Sequence, residues 1–145
     1  MTFPICVDAS FIVALLVPEQ FSQVALSFWE EWVQESHEVV APSLLQFEVT
    51  LALYRKALRG PLAWEDFHLV LQQFLDLDIN WTDLPILCIR AAELAHLFQR
   101  PNPYDTFYLA LAEHLDCPLW TADERFYNAV RSKYRFIHFL GKSST

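Results

Sequence analysis

Short continuous apolar runs alternate along this chain with longer stretches in which apolar residues return every three or four positions. The runs read as buried strands and the stretches as amphipathic helices. PICVD at 4–8 predicts a strand ending at Asp8, and a helix follows Ser10 through 11–17. Phe21, Val24, Ala25, Phe28 and Trp32 recur at helical spacing and predict a helix over 20–35. EVVAP at 38–42 is a second strand, followed by a helix over 43–59 that Gly60-Pro61 stops and by another over 63–76. DINW at 78–81 is a third strand, 84–99 is helical, and YDTFYLALAEH at 104–114 makes the next helix. PLWTA at 118–122 is the fourth strand, with RFIHF at 135–139 a candidate fifth. Pro101, Asn102 and Pro103 halt the helix before Asp105, which reads as an N-cap worth about 1 kcal/mol.

Strands separated by helices point to a parallel sheet with helices on its faces, an α/β fold of four to five strands. Such sheets bind ligands beyond the carboxyl ends of their strands, so the residues just past each strand are the candidates for chemistry. The 145 residues make one domain, expected over 1–141, with 142–145 as a short tail. No internal repeat or linker divides them.

Asp8 stands at the end of the first strand and Asp123 just beyond the fourth. Each also has a plain structural reading as the start of a helix. Glu48 is harder to place. Leu44 and Leu45 lie one turn before it and Leu51 and Ala52 one turn after, which sets it on the core side of its helix. An ionised carboxylate there is costly unless paired, protonated or bound to metal, and Arg55 is the candidate structural partner.

If Asp8, Glu48, Asp105 and Asp123 meet, each pair about 5 Å apart repels by roughly 3 kcal/mol at an effective dielectric of ~20. No Arg or Lys lies beside Asp8 or Asp105 in sequence to relieve this. An all-oxygen donor set suits a hard divalent ion, Mg2+ or Mn2+. Such an ion activates water and steadies a phosphate under in-line attack, which makes phosphodiester hydrolysis the reaction class.

Composition narrows the choice. Only Gly60 and Gly141 occur, too few for a P-loop or a dinucleotide fingerprint. Asp8 is followed by Ala9 and Ser10 rather than by a second acid, against an aspartyl phosphatase or a receiver domain. Ser10 lies in no Gly-x-Ser-x-Gly elbow, and the five histidines form no metal-binding pair. Cys6, Cys88 and Cys117 are odd in number and widely spaced, which fits a reducing cytoplasm. The apolar run at 11–17 is too short to cross a membrane and lacks a preceding Lys or Arg, so neither an anchor nor a signal peptide is expected.

VDASFIVALL, PSLLQFEVTLAL, YDTFYLALAE and WTADERF, in this order, resemble the PIN-domain family, particularly the small VapC-type toxins of toxin–antitoxin pairs. The resemblance implies a three-layer α/β/α sandwich and a Mg2+- or Mn2+-dependent endoribonuclease. It implies metal ligation by Asp8, Glu48, Asp105 and Asp123, with Ser10 and Thr121 matching hydroxyls that orient ligands or water. It also implies a cognate antitoxin and a homodimer as partners. The alternative is a catalytically silent PIN-like interaction module, against which the retention of four mutually repelling acids argues.

The formal charge of −8 is unusual for a protein that handles RNA. Arg125, Arg131, Lys133, Arg135 and Lys142 cluster after Asp123 and could form a local basic rim, while Arg55, Lys56 and Arg59 make a smaller second group. An apolar content of 54% with 12 Phe and 5 Trp leaves surface for a protein partner. The 20–35 helix, with Phe28, Trp29 and Trp32, is the candidate contact.

Overall fold

The computed structural model describes residues 1–141; the expected tail at 142–145, with Lys142, lies outside the described residues. The elements in chain order are β1 (Pro4–Val7), α1 (Ala9–Leu16), α2 (Ser22–Gln34), β2 (Glu38–Ala41), α3 (Leu44–Arg59) and α4 (Trp64–Leu75). They continue with β3 (Asn80–Trp81), α5 (Leu87–Leu97), α6 (Tyr104–Leu115), β4 (Leu119–Thr121), α7 (Glu124–Val130) and β5 (Ile137–Phe139). All five strands run parallel in the order β3-β2-β1-β4-β5. The α/β expectation holds, and RFIHF contributes the fifth strand.

Right-handed crossovers fix which helices cover which face. The chain steps from β1 to β2 to β3 in one direction, with α1 to α4 packed together on one face. It then crosses back to β4 and steps outward to β5, which places α5 to α7 on the other. Side chains follow this division. The Cys6 thiol reaches the Tyr108 carbonyl of α6, whereas Trp120, paired with Val7 in register, packs at a tilt against the rings of Phe28 and Trp32 of α2. Trp32 is only 5% exposed and Phe28 and Trp29 are half-buried, so the aromatic face of α2 belongs to the core.

The connections reverse direction between β1 and β4. That switch point opens a crevice at their carboxyl ends, which is where a doubly wound sheet takes its ligand.

Observed strands are shorter than their apolar runs because the flanking residues take other duties. Asp8 leaves β1 to cap α1, and its carboxylate accepts the Phe11 N–H. β3 keeps two residues at the sheet edge, its Asn80 side chain donating to Glu38. The N-cap expected at Asp105 is corrected: α6 begins earlier, with Pro103 at its cap. The Asn102 side chain accepts the Tyr104 N–H, and the Pro103 carbonyl accepts that of Phe107. Asp105 is therefore the second helical residue, where its charge faces the positive end of the helix dipole.

With so few glycines, three helices end on side-chain-bearing residues in the left-handed region. Ser36 after α2, Gln99 after α5 and Asp116 after α6 have φ of 59°, 52° and 52°. Each makes the paired bonds of a Schellman motif. After α5 these run from Gln99 N–H to the His96 carbonyl and from Arg100 N–H to the Ala95 carbonyl. Among the described residues only α3 ends on a glycine, Gly60 at φ 101°.

Replacing Gln99 by glycine removes the left-handed penalty and should raise unfolding free energy by about 0.5–1 kcal/mol, whereas Gly60→Ala should lower it by about 1 kcal/mol. Urea denaturation of both variants tests the pair; a loss of stability in Gln99→Gly would contradict it.

Candidate active site

The crevice at the switch point is built around Asp8. Because Val7 pairs with Trp120, the residues that follow, Asp8 and Thr121, emerge side by side from the two central strands. The Asp8 carboxylate, 6% exposed, takes three donors: Ser10 Oγ at 2.7 Å and Phe11 N–H at 3.0 Å on Oδ1, and Thr121 Oγ1 at 2.5 Å on Oδ2. The hydroxyls are fixed in turn, since Ser10 Oγ accepts the Ala122 N–H at 2.8 Å and Thr121 Oγ1 accepts the Asp123 N–H at 3.0 Å. A loop of hydrogen bonds thus ties the end of β1 to the end of β4.

Asp123 caps α7, accepting the Phe126 N–H at 3.1 Å. Capping does not withdraw it from the crevice. Asp8, Ser10, Glu48, Asp105 and Asp123 all line one cavity of about 370 Å³, and a fifth acid, Glu19, lines it beside Lys56 at 3.7 Å. Thr121 is fully buried behind this wall.

Glu48 and Asp105 are held by residues that the sequence left unremarked in this role. Tyr108 donates its hydroxyl to Glu48 Oε1 at 2.5 Å. The tyrosine lies one turn after Asp105 on the same face of α6, and burial raises its phenol far above the usual range, which keeps the donor proton in place. The Arg100 guanidinium reaches Asp105 Oδ2 at 3.1 Å and lies over the Phe126 ring at 5.6 Å. The buried Arg100 Nε has no hydrogen-bond partner among the described residues. The cation for Asp105 is therefore supplied from five residues upstream, through the left-handed turn at Gln99.

Glu48 also stands somewhat differently from its expected position. The buried stripe of α3 is Leu45, Val49 and Leu53, while Leu51 is 46% exposed. Glu48 occupies the shoulder of that stripe, half-buried at the cavity wall. Among the described residues it forms no ion pair with Arg55 or any other cation.

Burial dominates the proton affinity of these acids. It pushes Asp8 up to about 7, with the Thr121, Ser10 and Phe11 donors opposing and the charge of Asp105 adding. Burial likewise raises Glu48, against the Tyr108 bond, and Asp105, against Arg100, with Asp123 adding repulsion to Asp105. Among the described residues no three acids, histidines or cysteines are grouped closely enough to chelate an ion by themselves. A Mg2+-type ion held through one or two carboxylates and its own waters needs no such grouping, and the carboxylates and hydroxyl that line the cavity fit its chemistry.

These shifts carry a pH signature. An unfolded aspartate titrates near 4, so between about 4 and 7 the folded chain retains a proton on Asp8 that the unfolded chain has lost. The contribution of Asp8 is thus fully present below about pH 4 and is lost as pH rises through about 7. Urea midpoints of the metal-free parent should fall across this window relative to those of Asp8→Asn. Parallel profiles for the two proteins would refute the assignment.

The PIN-domain family model matches residues 5–131. No curated protein matches the chain. Among solved structures, the crystal structure of PAE2754 from Pyrobaculum aerophilum superposes with a TM-score of 0.68 at 21% identity, covering 97% of this chain and 93% of that one. At that identity the likeness speaks for the fold. With the family model spanning Asp8, Glu48, Asp105 and Asp123 and most of the chain between and around them, the chain belongs to the PIN-domain family, whose fold generally serves nucleases.

Proposed function

We propose that this protein is a Mg2+- or Mn2+-dependent endoribonuclease that hydrolyses RNA phosphodiester bonds, and that it acts as the toxin of a toxin–antitoxin pair. The observation that carries the reading is the convergence of Asp8, Glu48, Asp105 and Asp123, four of the five acids that line one cavity, at the switch point of a parallel sheet. Two of these acids also cap helices, but capping explains neither Glu48 nor Asp105.

In this reading Asp8, Glu48, Asp105 and Asp123 would hold the ion, one or two of them directly and the others through its coordinated waters. A bound Mg2+ or Mn2+ would lower the pKa of a coordinated water and offset the charge that grows on phosphate during in-line attack. Ser10 and Thr121 orient Asp8, Tyr108 orients Glu48, and Arg100 orients Asp105. All are mounted on packed strands or helices, or pinned by a helix-end motif, which keeps the donors in fixed geometry.

A protein partner belongs to the same proposal. Phe47, Leu51, Tyr54 and Leu58 recur at helical spacing along the solvent side of α3 and are 70%, 46%, 44% and 67% exposed. An antitoxin would cover this stripe rather than α2, whose aromatic residues pack inward. Leu51 also lines the carboxylate cavity, so such a partner would sit at its mouth. The proposal includes a homodimer and a cytoplasmic setting; among the described residues no helix is long and apolar enough to cross a membrane.

Asp105→Asn preserves shape and removes the charge. It should fold normally while metal-dependent RNA cleavage falls by about two orders of magnitude or more. Calorimetry should show Mn2+ binding by the parent and its loss in Asp8→Asn. Parental cleavage by Asp105→Asn, or cleavage unaffected by EDTA, would sink the nuclease reading. Expression of the parent, but not of Asp105→Asn, should arrest growth of a bacterial host; equal growth with both would remove the toxin role.

A further inference from the structure

We infer that the last two turns of α3 form a phosphate-binding subsite in which Arg55 and Arg59 hold the RNA backbone where it leads into the carboxylate cavity. The inference rests on the nuclease reading above for the destination of that strand. Its own basis is a second groove. Ala52, Arg55 and Lys56 line the carboxylate cavity, and the same three residues line an adjoining cavity of about 320 Å³ that continues to Arg59 and Pro61. The two cavities share this wall.

Helix geometry aligns the groups along that wall. Glu48, Ala52, Arg55 and Arg59 follow one another at alternating steps of four and three, so they share a face of α3. At 1.5 Å rise per residue, Arg55 stands about 10 Å and Arg59 about 16 Å along the axis from Glu48. Charge changes sign over this distance, from the acid at the cavity to the cations at its exit. Residues 49–64 contain no Asp or Glu, in a chain with 18 of them.

The two arginines are also available. Lys56 leans toward Glu19 at 3.7 Å, but Arg55 and Arg59 are exposed and enter no ion pair among the described residues. Guanidinium groups in this state present paired N–H donors that match a phosphate. A polyanion approaching four carboxylates needs such an attraction outside the acidic pocket, and cations beside a cleft raise the local concentration of substrate.

The larger basic cluster near the C-terminus does not lead there. Among the described residues, Arg125, Arg131, Lys133 and Arg135 are absent from the lining of the carboxylate cavity. Lys133 and Arg135 border a separate pocket with Glu113, and Arg131 lies over the Tyr127 ring at 5.6 Å. In this inference the smaller group on α3, and not that cluster, meets the RNA backbone at the cavity.

The test is fluorescence anisotropy of a labelled single-stranded RNA oligonucleotide in EDTA, titrated at several salt concentrations. Removing both cations in Arg55→Gln/Arg59→Gln should weaken binding at low salt and flatten the plot of log affinity against log salt by about 0.7 for each arginine. Arg131→Gln/Arg135→Gln should leave the slope unchanged. A parental slope in the α3 double variant, or loss of slope in the C-terminal one, would overturn the subsite, as would parental RNA that fails to bind. So would an α3 variant that loses a protein partner while binding RNA normally. RNA that binds with the expected slope yet is never cut would leave the subsite standing and remove the nuclease reading. RNA cut by the α3 variant with parental KM would do the reverse.

Discussion

Carboxylates gathered in one buried crevice repel one another, and a fold that gathers four must supply protons, donors or positive charge to each. Most of the local design follows from this constraint. Asp8 receives two hydroxyls and a backbone N–H, Glu48 a phenol, Asp105 a guanidinium, and Asp123 the first turn of a helix. The relief is incomplete, because burial still holds Asp8, Glu48 and Asp105 above the ordinary range of their types. A site left with this residual strain favours a cation.

The sheet makes the gathering possible. Its order, with β1 and β4 adjacent at the centre, places the acids that follow those strands at one edge although they are far apart in sequence. Helices then bring the other two from opposite faces, Glu48 on α3 and Asp105 on α6. Tyr108 joins these layers directly, since it is rooted in α6 and donates to α3 across the end of the sheet. The hydrogen bond is therefore an interlayer clamp as well as a support for Glu48.

Periodicity alone revealed the class of fold, the element order and the two acids at strand ends, because burial and strand direction leave regular marks on a sequence. Tyr108 was within reach of the same reasoning, lying three residues after Asp105 on a helix. Arg100 was not. Its approach depends on a glutamine adopting the left-handed conformation where glycine is usual, and on a Schellman motif that redirects the chain. The misplaced cap has a similar origin, since Asn102 takes the Tyr104 N–H from within a Pro-Asn-Pro stretch that reads simply as a helix break. The role of α2 was obscured for a different reason: exposed and internal aromatic faces look alike until the partner, here Trp120, is known.

The bond from Thr121 to Asp8 spans 113 positions of the chain, which sets the stage of synthesis at which the crevice can exist. Translation delivers Asp8 long before the hydroxyl that completes its set of donors, and before Asp123 beyond it. Until β4 inserts beside β1, Asp8 is left without one of its donors and the sheet without its switch point. A nascent chain on the ribosome thus carries three of the four acids without the crevice that unites them, and no product of interrupted translation short of β4 contains the site.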